Sequence, residues 1–518
     1  MDVQGISSDA VSREEIRKVL KTLKSGKATG LDSISVEELK ADPETTITKL
    51  HRIFEMIWER DEVPQDWKES LIVKIPKKGD LSKCGNWRGI SLLSVPSKIL
   101  GRIIIDRIRD GVDNPLRKEQ AGFRKNRGTT EQIFILRNIV EQSIEWNASL
   151  YINFLDFEKA FDSLKRVKLW KILRNYGIPG KLVNIIKELY NGSECSVLDK
   201  RNITDWFQVK DGVRQGCAMS GFLFVIAIDW VMKEATRDKG RGIRWRFTTT
   251  LEDLDYADDI ALVSSRFQDI QEKTTRVDKT ARSVGLKINQ GESKVLRINN
   301  RNENPVAVDG RDLEDVQKFV YLGAEVNTSG GTEEDIKRRI TLARGAFIKL
   351  NKLWNSGNLR IKTKLRLFNS NVMSVLLYSA DTWMMTEGSA KKIDTFQRKC
   401  LRRIFKIRWP EKISNEDLYR KAHSTPVSCI IKSRRWKLIG HVLRRDDAHD
   451  TKVALTWTPE GRRKRGRPKT TWRRTVERER DDFGWASWGE ARNTANDRAE
   501  WRLLWRSLMR PPGHEEDR

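Results

Sequence analysis

A chain of 518 residues with 38% hydrophobic and 33% charged residues is long enough for several domains and too apolar for wholesale disorder. The 99 Lys and Arg against 72 Asp and Glu leave a net charge of +27, which concerns polyanionic partners (nucleic acid, an anionic membrane surface, an acidic protein) rather than fold. No run reaches the ~18 apolar residues of a spanning helix. Five cysteines without a Cys-x-x-Cys pair exclude a disulfide scaffold and read as reduced and intracellular.

Met1–Ser8 has neither the basic start nor the apolar core of a signal peptide, so a secreted product is not expected. Ser12-Arg-Glu-Glu15 has capping-box spacing, and Ile16, Val19, Leu20 and Leu23 follow at helical intervals. Lys24–Asp32 is a loop with two glycines; it follows a helix and lacks the full phosphate-loop frame. A helix is predicted over Glu44–Arg60, and a strand over Leu71–Pro76 with Lys77-Lys-Gly-Asp80 as its turn. Helices follow over Pro96–Arg109 and Thr130–Trp146, then a buried strand over Leu150–Phe157 and a helix over Arg166–Tyr176. The longest apolar run, Gly221–Ile228, stops at Asp229. Leu254–Ser264 reads as a hairpin whose turn carries carboxylates. After Gly331 the chain becomes long helices rich in Arg, Lys and Trp, and Gly461–Lys469 is a Gly/Pro-punctuated basic run, an exposed linker or arm. No internal repeat is visible.

Two acidic clusters carry the chemistry. Asp156 ends an apolar strand, and Asp258-Asp259 interrupt another. A carboxylate at the edge of an apolar strand needs a cation or a metal, because burying it unpaired costs several kcal/mol. If the strands are neighbours, three carboxylates converge, which suits two hard divalent cations about 4 Å apart. The plainer reading is that Asp156 caps a helix and Asp258-Asp259 are turn residues. A zinc set of Cys400, His423, Cys429 and His441 matches no ligand spacing.

Further blocks carry a resemblance. Tyr256-Ala-Asp-Asp259 and Phe154-Leu-Asp-Phe-Glu-Lys-Ala-Phe-Asp162 look like signatures of reverse transcriptases. Asn86–Leu100 is similar to the fingers motif of non-LTR elements, and Gln120-Ala-Gly-Phe-Arg124 to the next block. Gly212-Val-Arg-Gln-Gly-Cys217, Gly285-Leu-Lys-Ile-Asn289 and Tyr321-Leu-Gly323 follow in the family's order. Arg434–Arg445 and the Gly-Arg-Pro run resemble the C-terminal region of LINE-type elements. The resemblance, spanning about Lys24 to Trp505, is to the reverse transcriptases of non-LTR (LINE-type, RTE/BovB-like) retrotransposons.

The resemblance implies an α/β (α+β) right-hand polymerase. Residues 1–68 would be a helical segment preceding the fingers, 69–330 the fingers and an antiparallel-sheet palm, 331–410 a helical thumb, and 411–518 a basic α-helical nucleic-acid-binding region. It implies an RNA-directed DNA polymerase, with Asp156, Asp258 and Asp259 as catalytic ligands of two Mg²⁺ ions, Mn²⁺ being the alternative. Phe161 would be the steric gate against a ribose 2′-hydroxyl, the other reading being a core phenylalanine. Lys77 and Arg88 would grip the triphosphate, or else belong to a solvated basic turn; Gln215, with Gly216 allowing close approach, would contact nucleotide and template. The expected partners are an RNA template, a DNA primer or target and dNTPs, with no membrane.

Arg465, Arg467 and Lys469 belong to the basic arm, whose Arg-Gly-Arg-Pro core resembles an AT-hook; a generic phosphate-binding arm is the broader reading. Trp436, Trp457, Trp472 and Trp485 would stack on single-stranded bases or fill a core. A nuclear location follows if the chain acts on genomic DNA. Two departures stand out: Glu292 where the family carries a Lys, with Lys294 as a substitute, and Gly221 where a Pro is common. No endonuclease activity is expected, because the chain begins with what resembles the segment just before the fingers. The rival functions are a catalytically inactive element remnant that binds RNA, and an intron maturase.

Overall fold

The structure, a computed structural model, describes residues 5–509 except Lys78, Arg201, Lys239 and Lys464; Lys78 of the predicted turn and Lys464 of the basic run therefore lie outside the described residues. The mixed helix-and-sheet class predicted from sequence holds.

Sixteen strands are formed among the described residues. They are β1 (Glu69–Pro76), β2 (Trp87–Leu92), β3 (Leu150–Leu155), β4 (Glu194–Asp199), β5 (Asn202–Ile203), β6 (Phe207–Gln208), β7 (Ile243–Arg246) and β8 (Thr249–Leu251). There follow β9 (Asp253–Tyr256), β10 (Asp259–Ser264), β11 (Lys294–Ile298), β12 (Ala307–Val308), β13 (Arg311–Asp312), β14 (Glu314–Asp315), β15 (Lys318–Tyr321) and β16 (Ala324–Asn327). One five-stranded sheet runs β2-β1-β4-β5 with β6 beside β4, a second runs β14-β11-β3-β10-β9, and β7-β8, β12-β13 and β15-β16 are two-stranded.

The second sheet is organised by β3. Its six residues Leu-Tyr-Ile-Asn-Phe-Leu are all buried, so the strand needs cover on both faces and neighbours on both edges. β10 and β11 flank it antiparallel, with Ile260 opposite Leu155 and Leu296 opposite Ile152. The apolar run Gly221–Ile228 lies in the helix Ala218–Ala235, almost every residue of which is buried, and it packs in one hydrophobic cluster with Tyr151, Leu155, Ile260 and Val277. Among the described residues no helix is long and apolar enough to cross a membrane.

Local signals read from sequence are realised with small shifts. Ser12 accepts from the Glu15 N–H (3.2 Å) while Glu15 accepts from the Ser12 N–H (2.9 Å), closing the capping box of the helix Arg13–Thr22. The predicted helices appear as Pro43–Arg60, Val95–Asp113, Thr129–Glu145 and Arg166–Asn175.

The C-terminal helices are not a loose appendage. Trp436, Trp472, Val476 and Trp501 share one buried cluster with Ile133, Leu150, Ile152 and Leu254, and Phe134 meets Trp472 edge-on at 4.8 Å. Of the tryptophans considered for base stacking, Trp436 and Trp472 are therefore core residues, 0% and 2% exposed, and their rings cannot meet a base. The segment 333–431 packs around its own cluster of Phe347, Trp354, Trp383 and Leu401.

Candidate active site

The register of the second sheet builds the site. Because Leu155 pairs with Ile260, the chain leaving β3 puts Asp156 beside Asp259, the first residue of β10. β9 and β10 pair through Tyr256 and Asp259, leaving Ala257-Asp258 as a two-residue hairpin turn. Such a turn requires positive φ, and Ala257 sits at φ 57°, a left-handed conformation that costs an L-residue about 1–2 kcal/mol.

Gln120 holds this turn. Fully buried, its Oε1 accepts from the N–H groups of Ala257 and Gly122, both at 2.8 Å, and its Nε2 donates to the Ala257 carbonyl at 3.4 Å. Residues 119–121 run along the edge of β9, with the Ala121 N–H on the Asp255 carbonyl at 2.9 Å. Gly122 passes so close that a Cβ there would lie 2.3 Å from the Ala257 nitrogen, which no side chain tolerates. The sequence singled out Gln120–Arg124 as a block but carried no hint of this clamp.

A third wall comes from residues 289–293. The Asn289 N–H donates to the Asp156 carbonyl (2.8 Å), Ser293 Oγ accepts from the Asp156 N–H (3.1 Å), and Asn289 Nδ2 reaches the Asp156 carboxylate (3.4 Å). Glu292, noted only as a departure, adds negative charge beside the Asp156 carboxyl. Burial, then Glu292 and then Asp258 push Asp156 up to about 7. Burial and the neighbouring Asp258 push Asp259 up to about 6; burial raises Asp258 too, against the pull of Arg88. Lys294, the suggested substitute cation, donates to Glu314 (2.7 Å) and the Gly291 carbonyl (2.7 Å), so it is engaged away from Asp156.

Asp258 is thus felt by both Asp156 and Asp259, Glu292 by Asp156, and Arg88 is the cation that eases Asp258. Hard oxygen donors carrying uncompensated charge are what a divalent cation binds. The expected convergence is incomplete in this arrangement: among the described residues no three His, Cys, Asp or Glu side chains are grouped to hold one ion. Like charges repel, and strand register fixes the backbones of Asp156 and Asp259, not their rotamers. Of the residues considered for zinc, His441 contacts Glu131 at 3.1 Å.

The other predicted residues surround this cluster. Phe161 stacks on Phe224 at 4.6 Å with part of its ring left accessible. Gln215 accepts the Ser91 N–H on its carbonyl (2.7 Å) and reaches Asp162 through Nε2 (3.4 Å), and Gly216, at φ 108°, lies so close to β2 that a Cβ would meet the Ser91 carbonyl at 2.9 Å. Arg88 is exposed on β2 opposite Ile75, and Lys77 follows the end of β1 with its Nζ on the Gly85 carbonyl (3.3 Å). Lys77 and Arg88 thus belong to the β1–β2 sheet, with Arg88 within electrostatic reach of Asp258. Gly221 has a local explanation: a Cβ would strike the Phe123 ring at 2.6 Å, and the helix begins three residues earlier at Ala218 regardless. Arg465, Arg467 and Lys469 are exposed and border a groove of about 470 Å³ shared with Glu141 and Glu145.

Residues 75–326 match the family model described as reverse transcriptase (RNA-dependent DNA polymerase), and residues 346–378 match a model for a domain of unknown function. The chain is 27% identical over 60% of its length to a transposon TX1 protein of Xenopus laevis, of which it covers 24%. It is 25% identical over 77% of its length to a Pol polyprotein of the retrotransposable element R2 of Popillia japonica, covering 55% of that protein. It is also 25% identical over 78% of its length to the RNA-directed DNA polymerase of the mobile element jockey of Drosophila funebris, covering 45%. The chain thus spans between a quarter and just over half of the length of these relatives. With Asp258 and Asp259 on a hairpin beside Asp156, residues 75–326 form a reverse transcriptase domain, and the chain is similar to the proteins of non-LTR retrotransposons.

Proposed function

We propose that the chain extends a DNA 3′-hydroxyl on an RNA template by two-metal nucleotidyl transfer, taking dNTPs. The observation that carries the reading is the antiparallel β3–β10 register, which sets Asp156 beside Asp259 at the Asp258 turn, with Arg88 the cation that eases Asp258 among the described residues. Asp156, Asp258 and Asp259 would hold two Mg²⁺ (or Mn²⁺) ions, which supply the charge that steadies the attacking and leaving oxygens.

The protein's own contribution is positioning and electrostatics. Arg88 and Lys77, on the β1–β2 side, offer guanidinium and ammonium groups to the triphosphate, the guanidinium suiting bidentate phosphate contact. Phe161, braced on Phe224, presents a ring edge where a 2′-hydroxyl would collide. Gln215 and Gly216 bring backbone close to the base pair because Gly216 carries no side chain between them and β2. Residues 331–410 would form the thumb on the primer–template duplex. Arg465, Arg467 and Lys469 would hold phosphates, and a chain acting on genomic DNA works in the nucleus.

The test is primer extension with a DNA primer on an RNA template, dNTPs and Mg²⁺, for the parent and Asp258→Ala. Extension by the parent and not by the variant supports the reading. No extension by either, with RNA binding retained, sinks it in favour of a binding protein left by an element.

A further inference from the structure

Apart from the carboxylates, the chain builds a second surface around a short hairpin. The hairpin β7–β8 joins the helix Ala218–Ala235 to β9, and its strands are short, with a register shift around Trp245. Phe247 sits in its two-residue turn and is 88% exposed, the most exposed large apolar side chain among the described residues. A lone exposed phenylalanine is ordinary; one at the rim of an aromatic, cationic groove is not.

That groove has a volume of about 790 Å³ and lies between the hairpin and the C-terminal helices. Its floor is rigid. Trp245 and Trp457 meet at 5.4 Å; Trp245 Nε1 donates to Asp450 (3.0 Å) and Trp457 Nε1 to the Arg244 carbonyl (2.8 Å), so both rings are locked by polar anchors at their edges. Phe247 and the half-buried Trp488 also line it. Four cations border the groove, Arg244, Arg246, Lys452 and Arg492, against two anions, Asp447 and Glu460. The anions are already used: Asp447 pairs with Lys452 (2.6 Å) and Arg492 (3.2 Å), and Glu460 with Arg244. Arg246 makes no ion pair with any described residue, next to the exposed Phe247 ring.

We propose that this groove of Trp245, Phe247, Trp457 and Trp488, edged by Arg246, is a second binding site for single-stranded nucleic acid, separate from the polymerase cleft. Trp245 and Trp457, 5% and 7% exposed, stiffen the base of the groove, while the exposed Phe247 ring and the half-buried Trp488 offer faces to unpaired bases whatever their sequence, and the unpaired Arg246 guanidinium meets the phosphate of the same nucleotide. A duplex hides its base faces and cannot use the rings. The hairpin feeds directly into β9, so a strand held here is tied to the element that carries the Asp258 turn. The proposal leans on the polymerase reading only for the presence of nucleic acid and is read out by binding alone.

Fluorescence anisotropy of a labelled 12-nucleotide oligo-U RNA, and of its oligo-dT counterpart, tests it on the full chain. An unlabelled hairpin duplex without overhang is kept in saturating excess to fill the cleft. The parent is expected to bind the oligonucleotide under these conditions. Phe247→Ala is expected to weaken that binding about tenfold and Phe247→Trp to restore it. Arg246→Ala is expected to weaken it and to flatten the dependence on log salt by roughly 0.7. The RNA and DNA arms report which strand the groove favours. Asp258→Ala, inert in extension, should bind as the parent does, so failure of the polymerase reading and failure of this one give different results. Parent-like affinity of Phe247→Ala and Arg246→Ala for both oligonucleotides would overturn the proposal. So would a surface that mediates self-association, seen as a change in sedimentation of Phe247→Ala with oligonucleotide binding unchanged.

Discussion

Four aspartates lie within seven residues on one hairpin, and they divide into two kinds. Asp253 and Asp255, on β9, are fully buried around Arg117, whose guanidinium spans both Asp253 oxygens at 2.8 Å and contacts Asp255. Asp229 joins from the long apolar helix, accepting the Arg117 N–H (2.9 Å) and the Tyr176 hydroxyl (2.6 Å). Asp258 and Asp259, at the turn and just past it, have solvent access and no paired cation within the site. Burial and the neighbouring Asp253 push the Asp255 carboxyl well above its usual range, with Arg117 pulling the other way. The first pair ties elements together; the second is left with charge to offer. Identity and spacing of the residues do not separate the two, whereas the position of one arginine does.

The largest effect expected from breaking this contrast is at the turn. Asp258→Ala should lower primer extension by more than about a thousandfold while leaving the urea midpoint within error of the parent, since no described partner is lost. A large drop in stability would mean that Asp258 belongs with the structural pair. Arg117→Met should do the reverse, removing about 3–5 kcal/mol of stability by stranding three buried carboxylates, and urea unfolding would read it. An unchanged midpoint would mean that those carboxylates are protonated and need no partner.

Glu141 sharpens the comparison, because it is a buried carboxylate without a paired cation. It accepts the Trp472 N–H (2.8 Å), its other oxygen finds no partner among the described residues, and burial pushes it up to about 7 against the weaker pull of Arg137 and Arg473. The folded chain keeps a proton that the unfolded chain releases above the ordinary value near 4.5, so stability falls as pH rises from about 4.5 to about 7 and is flat beyond. Glu141→Gln should therefore be more stable than the parent at pH 8 by about 2–3 kcal/mol and nearly equal to it at pH 4. Equal thermal stabilities at both pH values would show that Glu141 is ionised in the fold. The smallest effect is at Gln120. Gln120→Ala removes the clamp on Ala257 without touching a carboxylate, and the misplaced turn should lower kcat about tenfold with a KM near the parent's. A change in KM alone would place Gln120 in substrate binding instead.

The sequence made β3 and the Asp258 hairpin visible because their signals are local: an uninterrupted apolar run, and carboxylates between two such runs. Capping at Ser12 is visible for the same reason. The pairing of Arg117 with Asp253 left no such trace, since the partners are 136 positions apart and each looks like a surface charge. Glu292 read as a lost cation, and contact with Asp156 appears only once β11 lies beside β3. The tryptophans were ambiguous by composition. Burial assigns Trp436 and Trp472 to the core, while the β7–β8 hairpin that frames Trp245 and Phe247 is too short to announce itself by periodicity.

The separation of Arg117 from its partners also sets an order in time. Asp229 lies 112 positions downstream of Arg117 and Asp253 lies 136 downstream. At about 5–20 residues per second on a ribosome, Arg117 is made on the order of ten seconds before the last of the aspartates it will meet. Until then its guanidinium stays hydrated, and the β9 edge it secures does not exist. The ion cluster thus closes late in synthesis: the Asp258 turn cannot be set until more than a hundred further residues have emerged and closed back on one waiting side chain.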